Sequence, residues 1–324
     1  MSISDPTQSY WKSRKAMTSL TSFDLGLTVA FSVIVLTNIV GNSLVCLVVS
    51  RFNGMRAPIN FLLVNLAVSD MMVAISITLQ YIIKWTFQHP NGAEGDYLCK
   101  FLTGGNFLWV GQAASTFSLV AIAFERYIAV RKPLSSRWQL TDRRLEGLII
   151  SSWIYAVLVD LPLFFVVCHK DGVSYCVENW SNEDLGIAYT IACFFIFGAI
   201  PTITMVYLYS RVLCIIWPNN ERATLISQQT RIRARRKVTK MVIVVSIMYA
   251  ACRLPNLVVY MLTQLKPDLD AYGSKTYFAS VVLVGFNSAM NPFIYALHST
   301  NFRRHIKGAL CCRTYRSADL VGVK

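Results

Sequence analysis

Seven long stretches of this chain are strongly apolar, and short polar segments separate them. A membrane-spanning helix needs roughly 20 predominantly apolar residues, and each stretch reaches that length. The chain is 54% hydrophobic and 15% charged, which is more apolar than a soluble domain usually is. The pattern therefore predicts an all-α membrane protein with a bundle of seven transmembrane helices. The predicted spans are Leu25–Ser50, Pro58–Lys84, Leu98–Val130, Leu145–Val167, Leu185–Ile216, Val238–Leu262 and Tyr277–Leu297.

The segments outside the seven spans are short, so the sequence predicts a single domain with residues 25–297 as the bundle. Residues 1–24 form a tail without the basic start and apolar core of a cleavable signal peptide, and we expect the first span to direct insertion. Apolar and basic residues alternate at helical spacing over residues 300–311, which predicts a short amphipathic helix on the membrane surface. Residues 312–324 are expected to form a cytoplasmic tail.

The net charge of +14 does not indicate a nucleic-acid partner, because the basic residues cluster in alternate loops. They concentrate in residues 131–144, in residues 231–240 and after residue 302, whereas the other loops carry acids such as Asp96 and Glu178. The positive-inside rule places the basic loops and the C-terminus in the cytosol. With seven spans, the N-terminus is then extracellular, as expected for a multi-pass protein of the plasma membrane.

The cysteines are distributed in agreement with this orientation. Cys99, Cys168 and Cys176 fall on the predicted outer side, where the environment permits disulfides. Cys311 and Cys312 directly follow the last span on the reducing side, a placement typical of palmitoylation. Asn179 begins an Asn-Trp-Ser sequon in an outer loop, which predicts glycosylation there.

Several spans contain an ionisable residue at a depth where lipid offers no partner. Such residues cost free energy in the bilayer, so by default they face the bundle interior and mark functional positions. Arg126 can pair with Glu125 while the inner mouth of the bundle is closed, or it can simply extend to the membrane interface. Asp70 needs a cation, a proton or a hydrogen-bonding partner. A sodium ion there could also take ligands from Ser115, Asn287 and Asn291.

The chain resembles rhodopsin-like (class A) G-protein-coupled receptors over all seven spans. The resemblance rests on Leu-Ala-Val-Ser-Asp at residues 66–70, Glu-Arg-Tyr at residues 125–127 and Asn-Pro-Phe-Ile-Tyr at residues 291–295. Single residues that match the family pattern are Asn42, Trp153, Pro201, Tyr209 and Pro255. The resemblance implies a ligand-activated receptor whose partners are heterotrimeric G proteins and arrestin.

The resemblance also implies roles for individual residues. Cys99 is expected to form a disulfide with Cys176. The residues expected to rearrange on activation are Glu125, Arg126, Tyr127, Tyr209, Pro255, Asn291, Pro292 and Tyr295. Those expected to contact the G protein are Arg126, Pro133, Leu134, Arg235, Arg236, Lys240 and Arg303.

The sixth span departs from the family pattern, because Cys-Arg-Leu-Pro at residues 252–255 replaces Cys-Trp-x-Pro. Tyr249, Arg253, Asn256 and Tyr260 recur at helical spacing and therefore share one face. If this face points inward, Arg253 lies at the floor of the ligand cavity.

An arginine at that position has three interpretations. Its guanidinium group can replace sodium near Asp70, or it can receive an acidic group of the ligand. Alternatively it is structural, and either extends towards the interface or pairs with Asp160.

Two further departures concern the third and sixth spans. The stretch from Cys99 to Arg126 is longer than the family pattern and contains two consecutive glycines at 104–105, which predicts a bulge at the outer end of the third helix. Thr239 and nearby cations stand where an acidic partner for Arg126 would be expected, so we predict no charge lock between the third and sixth helices.

The resemblance narrows the ligand class. Leu108 replaces the aspartate of amine receptors and Gly285 replaces the lysine of retinal pigments, which argues against both ligands. The predicted cavity combines amides, phenols and one cation, and this mixture favours a short neuropeptide over a small acidic metabolite or lipid. The predicted ligand-binding residues are Gln80, Tyr81, Leu108, Gln112, Arg253, Asn256, Tyr260 and Tyr277.

Two other function classes are weaker interpretations. A transporter could also bury aspartate and arginine, but the sequence lacks the repeated halves and paired broken helices that transporters commonly show. It also lacks a zinc-protease motif, a phosphate-binding loop and a nucleophile set that can be placed on one face. We therefore predict a receptor that is not an enzyme and needs no cofactor beyond the sodium ion considered above.

Overall fold

The computed structural model describes residues 21–83, 89–132, 140–170, 176–216, 226–266 and 274–310. Within these residues, seven helices are long and apolar enough to cross a membrane, which confirms the predicted fold class. Numbered as spans one to seven, they are Ser22–Arg51, Pro58–Ile82, Ala93–Arg131, Asp142–Val166, Glu183–Ile216, Arg236–Leu265 and Lys275–His298. We call the end of the bundle at residue 22 the outer end and the opposite end the inner end.

Several spans are composite, and shorter elements flank them. The second, third and fifth spans contain π-helical segments at Thr78–Ile82, Cys99–Thr103 and Phe195–Ala199. The sixth span is part of a longer helix, Ile226–Leu265, which begins earlier than its apolar stretch because arginine and lysine are good helix formers. A 3₁₀ turn at Asn53–Met55 follows the first span, and a final helix covers Thr300–Leu310.

The burial of the spans matches a bundle surrounded by lipid. The third span is the most buried and therefore central, whereas the fourth span is the least buried. Large apolar side chains such as Leu36, Phe165 and Ile203 are well exposed on the outside of the bundle. This exposure carries no hydrophobic penalty when lipid tails replace water around the protein.

The third span is interrupted at its outer end, as predicted from its length. After the π-helical segment Cys99–Thr103, Gly105 has a φ of +84°, and the regular helix begins at Asn106. A larger residue at Gly105 would be strained by this φ, and its Cβ atom would lie 2.9 Å from Oε1 of Gln80, whose side chain would have to shift. The extra residues are thus absorbed before the helix enters the centre of the bundle.

A short hairpin covers the outer end of the bundle. Strand β1 (Val167–His169) pairs antiparallel with strand β2 (Cys176–Glu178). The expected disulfide joins Cys99 to Cys176 and fixes β2 to the third span. The backbone amide of His169 donates a hydrogen bond of 2.8 Å to Asp96, which fixes β1 to the same span.

The final helix is amphipathic, as predicted. Phe302 is buried and packs edge-to-face on Tyr295, with ring centroids 6.0 Å apart, whereas Arg303, Arg304 and Lys307 are exposed. The helix therefore continues the seventh span along the inner surface with its cations outward. The predicted palmitoylation sites, Cys311 and Cys312, lie outside the described residues.

Candidate functional site

A cavity partly open to solvent, with about 570 Å³ of empty space including that solvent, lies at the outer end of the bundle. Its walls come from the second, third, sixth and seventh spans, and strand β2 covers one side. It is lined by these members of the predicted ligand-binding set: Gln80, Tyr81, Leu108, Asn256, Tyr260 and Tyr277. Six of the eight predicted residues, from four spans, therefore lie around one space.

The polar groups of this outer cavity are arranged by contacts between spans. The hydroxyl groups of Tyr81 and Tyr277 lie 3.2 Å apart, joining the second and seventh spans. Asn256 donates a 3.1 Å hydrogen bond to Ser280, joining the sixth and seventh spans. Phenol and amide groups thus converge on an otherwise apolar wall, an arrangement that suits a ligand with both apolar and hydrogen-bonding groups.

Glu178 is the one charged side chain among the described residues that line the outer cavity. It accepts hydrogen bonds from Trp180 at 2.9 Å, Tyr260 at 3.0 Å and Gln264 at 3.2 Å. Burial raises the pKa of its carboxyl group, while the bonds from Trp180 and Tyr260 oppose that rise. From the sequence, Glu178 was predicted only to be an acidic residue of an outer loop. Glu178 lies two residues after Cys176, which the disulfide holds against the third span. This spacing could have predicted that Glu178 lines the cavity.

The other two predicted ligand-binding residues, Gln112 and Arg253, lie beneath the outer cavity. They line a smaller cavity with an empty volume of about 270 Å³, together with Ser115 and Asn287. Arg253 is 3% exposed and donates a 2.9 Å hydrogen bond to Asn256. The arrangement places Arg253 within the bundle, so it does not extend to the membrane interface.

Aromatic side chains enclose the guanidinium group of Arg253. Its central carbon lies 4.7 Å from the ring centroid of Trp109 and 6.0 Å from that of Phe197, within the range of cation–π attraction. Because Trp109 and Asn256 line the outer cavity, they separate Arg253 from it. Within the described residues, two guanidinium nitrogens of Arg253, Nε and Nη2, have no hydrogen-bond partner.

Asp160 interacts with Arg253 through charge rather than through contact. The two groups are close enough for an electrostatic interaction, but no carboxylate of the described residues lies within 4 Å of Arg253. Tyr249, Arg253, Asn256 and Tyr260 are all buried on the inner face of the sixth span, as their spacing predicted.

Asp70 is fully buried in the centre of the bundle. One carboxylate oxygen accepts a 3.3 Å hydrogen bond from Ser115, and the other accepts a 2.7 Å bond from the amide nitrogen of Asn291. Asn287, the fourth predicted sodium ligand, instead lines the smaller cavity with Arg253, and its amide oxygen has no partner among the described residues. The residues present fit a sodium ion only in part. Asp70 and Ser115 contact each other and could both be ligands, but Ser115 also borders the cavity that the cationic Arg253 lines.

At the inner end of the third span, Arg126 and Glu125 form a two-point ion pair. Arg126 Nε lies 2.5 Å from Glu125 Oε2, and Nη2 donates a 2.6 Å bond to Oε1. Tyr209 lies close enough to interact with the charge of Arg126 and accepts a 3.4 Å bond from Ser246. Arg126 is therefore held by its neighbour in the third span, and in the described residues no acid from the sixth span contacts it.

Comparison with known proteins identifies this arrangement. The family model described as "7 transmembrane receptor (rhodopsin family)" matches residues 41–295. The chain belongs to the rhodopsin family of seven-transmembrane receptors. It is therefore a multi-pass membrane receptor, and its family is not one of enzymes.

Similar receptors come from several animals. The QRFP-like peptide receptor of Branchiostoma floridae is 30% identical over 302 residues, which cover 89% of this chain and 78% of that receptor. The Substance-P receptor of Rattus norvegicus is 30% identical over 306 residues, which cover 91% of this chain and 73% of that receptor. The Allatostatin-A receptor of Bombyx mori is 30% identical over 294 residues, covering 87% of this chain and 78% of that receptor.

The inner surface of the receptor carries part of the predicted G-protein contact set. Lys240 and Arg303 are exposed, and Arg236 is half-buried and donates a 2.8 Å hydrogen bond to the carbonyl of Ile216. Pro133 and Leu134 lie outside the described residues, as does the side chain of Arg235.

The remaining residues of the predicted activation set lie in the third, sixth and seventh spans. The hydroxyl group of Tyr127 is hydrogen-bonded to the guanidinium group of Arg131. Pro255 and Pro292 stand inside their helices, and Tyr295 is buried where the seventh span meets the final helix.

Proposed function

We propose that this receptor is activated by a short extracellular peptide and couples to heterotrimeric G proteins at its inner end. The observation that carries the proposal is the outer cavity, whose phenols, amides and single carboxylate converge beneath the β-hairpin. The names of the QRFP-like peptide, Substance-P and Allatostatin-A receptors support a peptide ligand. The charge distribution supports an extracellular N-terminus, because the basic segments flank the inner end.

The proposed mechanism links the cavity to the inner end through the sixth span. A peptide in the outer cavity would contact Tyr260 and Asn256 on the sixth helix. Pro255 lacks a backbone N–H, so the carbonyl of Ala251 has no helical partner and the helix can bend there. Movement of the inner part of the sixth helix would open the space beside Arg126, and G-protein binding would then release its pair with Glu125.

The same orientation of the receptor supports an arrestin partner, a glycosylation site and two palmitoylation sites. Arrestin is proposed as a second partner of the inner surface, where Lys240 and Arg303 are exposed. The side chain of Asn179 is exposed beside β2, which supports glycosylation of the outer surface. Palmitoylation of Cys311 and Cys312 would hold the final helix against the membrane.

A small acidic ligand is the second candidate, and Arg253 is the observation that favours it. Its guanidinium group has two donors without a partner among the described residues. However, Trp109 and Asn256 stand between Arg253 and the outer cavity, so an acid would have to displace them. The names of the similar receptors point to peptides, so a peptide is the favoured ligand.

Sodium binding near Asp70 remains a prediction. A sodium ion would be held by Asp70 and Ser115, with Asn287 and Asn291 completing the set only after they reorient. Because Arg253 lines the adjacent cavity, its charge disfavours a cation there. Agonist affinity should therefore be insensitive to sodium in the wild-type receptor and become sodium-sensitive in Arg253→Trp. An unchanged sodium response in both proteins would contradict this expectation.

The proposed function is tested by nucleotide exchange on a purified G protein. The full-length receptor, reconstituted in lipid nanodiscs, would be screened with short amidated peptides and, separately, with small organic acids. Peptide-stimulated exchange supports the proposal, and Arg126→Ala should bind the same peptides without stimulating exchange. Activation by acids alone would favour the second candidate, and solute flux without exchange would indicate a transporter.

A further inference from the structure

Glu178 differs from the other residues of the outer cavity because it brings a negative charge into a partly enclosed space. The residue is half-buried, and its carboxylate is surrounded by Trp180, Tyr260 and Gln264. These neighbours come from the end of the hairpin and from the outer end of the sixth span. Any ligand that enters between the hairpin and this span therefore passes the carboxylate.

The charge of Glu178 has no cation in contact with it. All three hydrogen-bond donors are neutral, and in the described residues no lysine, arginine or histidine nitrogen lies within 4 Å of the carboxylate. A carboxylate removed from water without a counter-charge costs free energy. A cationic group of a ligand would supply that counter-charge and would recover part of this cost.

Arg253 does not supply the missing cation. Its guanidinium group stacks on Trp109 at 4.7 Å and, within the described residues, does not lie within 4 Å of the Glu178 carboxylate. The receptor thus has a negative group at the rim of the outer cavity and a covered positive group below its floor.

The two carboxylate oxygens of Glu178 are unequally engaged. Oε2 lies within hydrogen-bond distance of donors on Trp180, Tyr260 and Gln264, whereas Oε1 accepts only from Tyr260 among the residues that the structure describes. A carboxylate oxygen has two lone pairs. Oε1 can therefore accept a further hydrogen bond from an ammonium or guanidinium group without loss of an existing contact.

We propose that Glu178 binds a basic group of the peptide and thereby determines which peptides activate the receptor. The basic group is an arginine or lysine side chain or the free terminal amine, all of which present N–H donors with a positive charge. This inference rests on the proposed function, since it names the chemistry of a peptide in the same cavity. The contrasting interpretation is that Glu178 only joins the hairpin to the sixth span through Tyr260 and Gln264.

The experiment compares peptides that differ in one charge. Short amidated peptides that activate the wild-type receptor are resynthesised in three ways: with citrulline for arginine, with norleucine for lysine, and with an acetylated amino terminus. Loss of one basic group should reduce potency in the exchange assay by about 10- to 100-fold, the range of a hydrogen bond to a charged group. The substitution that has this effect identifies which of the three groups reaches Glu178.

The same peptides are then tested on Glu178→Gln, which keeps the size of the side chain and removes its charge. Basic peptides should lose about 10- to 100-fold in potency on this variant, while the neutral analogues should be equally potent on both receptors. Glu183→Gln is the matched control, because Glu183 is an exposed acid at the same end of the bundle and should leave all potencies unchanged. Surface expression shows whether each variant folds. If Glu178→Gln does not fold, the comparison of basic and neutral peptides on the wild-type receptor still tests the inference.

The outcomes separate this inference from the proposed function. Peptides that activate the wild-type receptor with equal potency in basic and neutral form would overturn the role of Glu178 and leave the proposed function intact. The absence of any peptide response would overturn both. A uniform loss of potency for basic and neutral peptides on Glu178→Gln would show that Glu178 is structural, and would also overturn the inference.

Discussion

Two arginines inside the bundle, Arg126 at the inner end and Arg253 below the outer cavity, have different surroundings. Arg126 pairs with Glu125, its neighbour in the sequence, and their side chains are 14% and 17% exposed. Arg253 is 3% exposed and contacts Asn256, Trp109 and Phe197, which come from three different spans. A local pair near the inner surface can be released by a binding partner, whereas Arg253 is held by the packing of the bundle. This difference supports the hypothesis that Arg126 acts as a switch and that Arg253 is a structural support beneath the outer cavity.

The strongest test of this comparison is the removal of the buried cation in Arg253→Met. The change would remove the positive charge that acts on the buried Asp160, and a buried charged group left uncompensated costs on the order of 1–3 kcal/mol. We expect a clear loss of thermal stability, measured by the melting temperature of the purified receptor.

The matched control for this test is the double substitution Arg253→Met with Asp160→Asn, which removes both charges. It should recover most of the lost stability, because a buried pair replaced as a unit is often close to neutral. If the double variant is as unstable as Arg253→Met, Asp160 is not the electrostatic partner of Arg253. In that case the aromatic contacts of Arg253 would account for its effect.

The inner arginine is tested by Glu125→Gln, which weakens its ion pair and preserves the size of the side chain. The pair is partly exposed, so its loss should shift the equilibrium towards the open state by only about 1 kcal/mol, or roughly fivefold. We expect a higher basal rate of nucleotide exchange, measured without ligand on the reconstituted G protein, and little change in melting temperature. A large fall in melting temperature with no change in basal exchange would mean that Arg126 and Arg253 do not differ as described.

The sequence predicted the spans and the shared faces because these depend on local periodicity. The apolar stretches gave seven helices, and the spacing of Tyr249, Arg253, Asn256 and Tyr260 gave the inner face of the sixth span. The motif at residues 125–127 likewise placed an arginine beside its own partner. All of these features depend on residues that are close in the chain.

Features that depend on distant parts of the chain were harder to predict. Glu178 reaches the cavity through the hairpin and the disulfide between Cys99 and Cys176, and its hydrogen-bond partner Tyr260 is 82 residues away. Helical spacing placed Arg253 on the correct face but could not show that Trp109, from the third span, covers it. The depth of a side chain in the bundle depends on how the spans pack against each other. The periodicity of a single helix carries no information about that packing.

The smallest expected effect is a pH dependence confined to the outer end, where two groups titrate in opposite directions. Burial raises the pKa of Glu178 above its ordinary value of 4.5, so its contribution to stability is present below that pH and is lost as the pH rises through the raised pKa. Burial and the neighbouring His169 lower the pKa of His89 below 6.5, so its contribution is present above that pH and is lost as the pH falls through the lowered pKa.

These opposite signs are measured by melting temperature as a function of pH in matched variants. Relative to Glu178→Gln, the wild-type receptor should lose stability as the pH rises from about 4.5 towards neutrality. Relative to His89→Gln, it should lose stability as the pH falls below about 6.5. Parallel pH profiles of wild type and Glu178→Gln would mean that burial does not oppose the charge of this carboxylate. A cationic ligand group bound to Glu178 favours the charged form of the carboxyl group, so it opposes the effect that burial has in the free receptor.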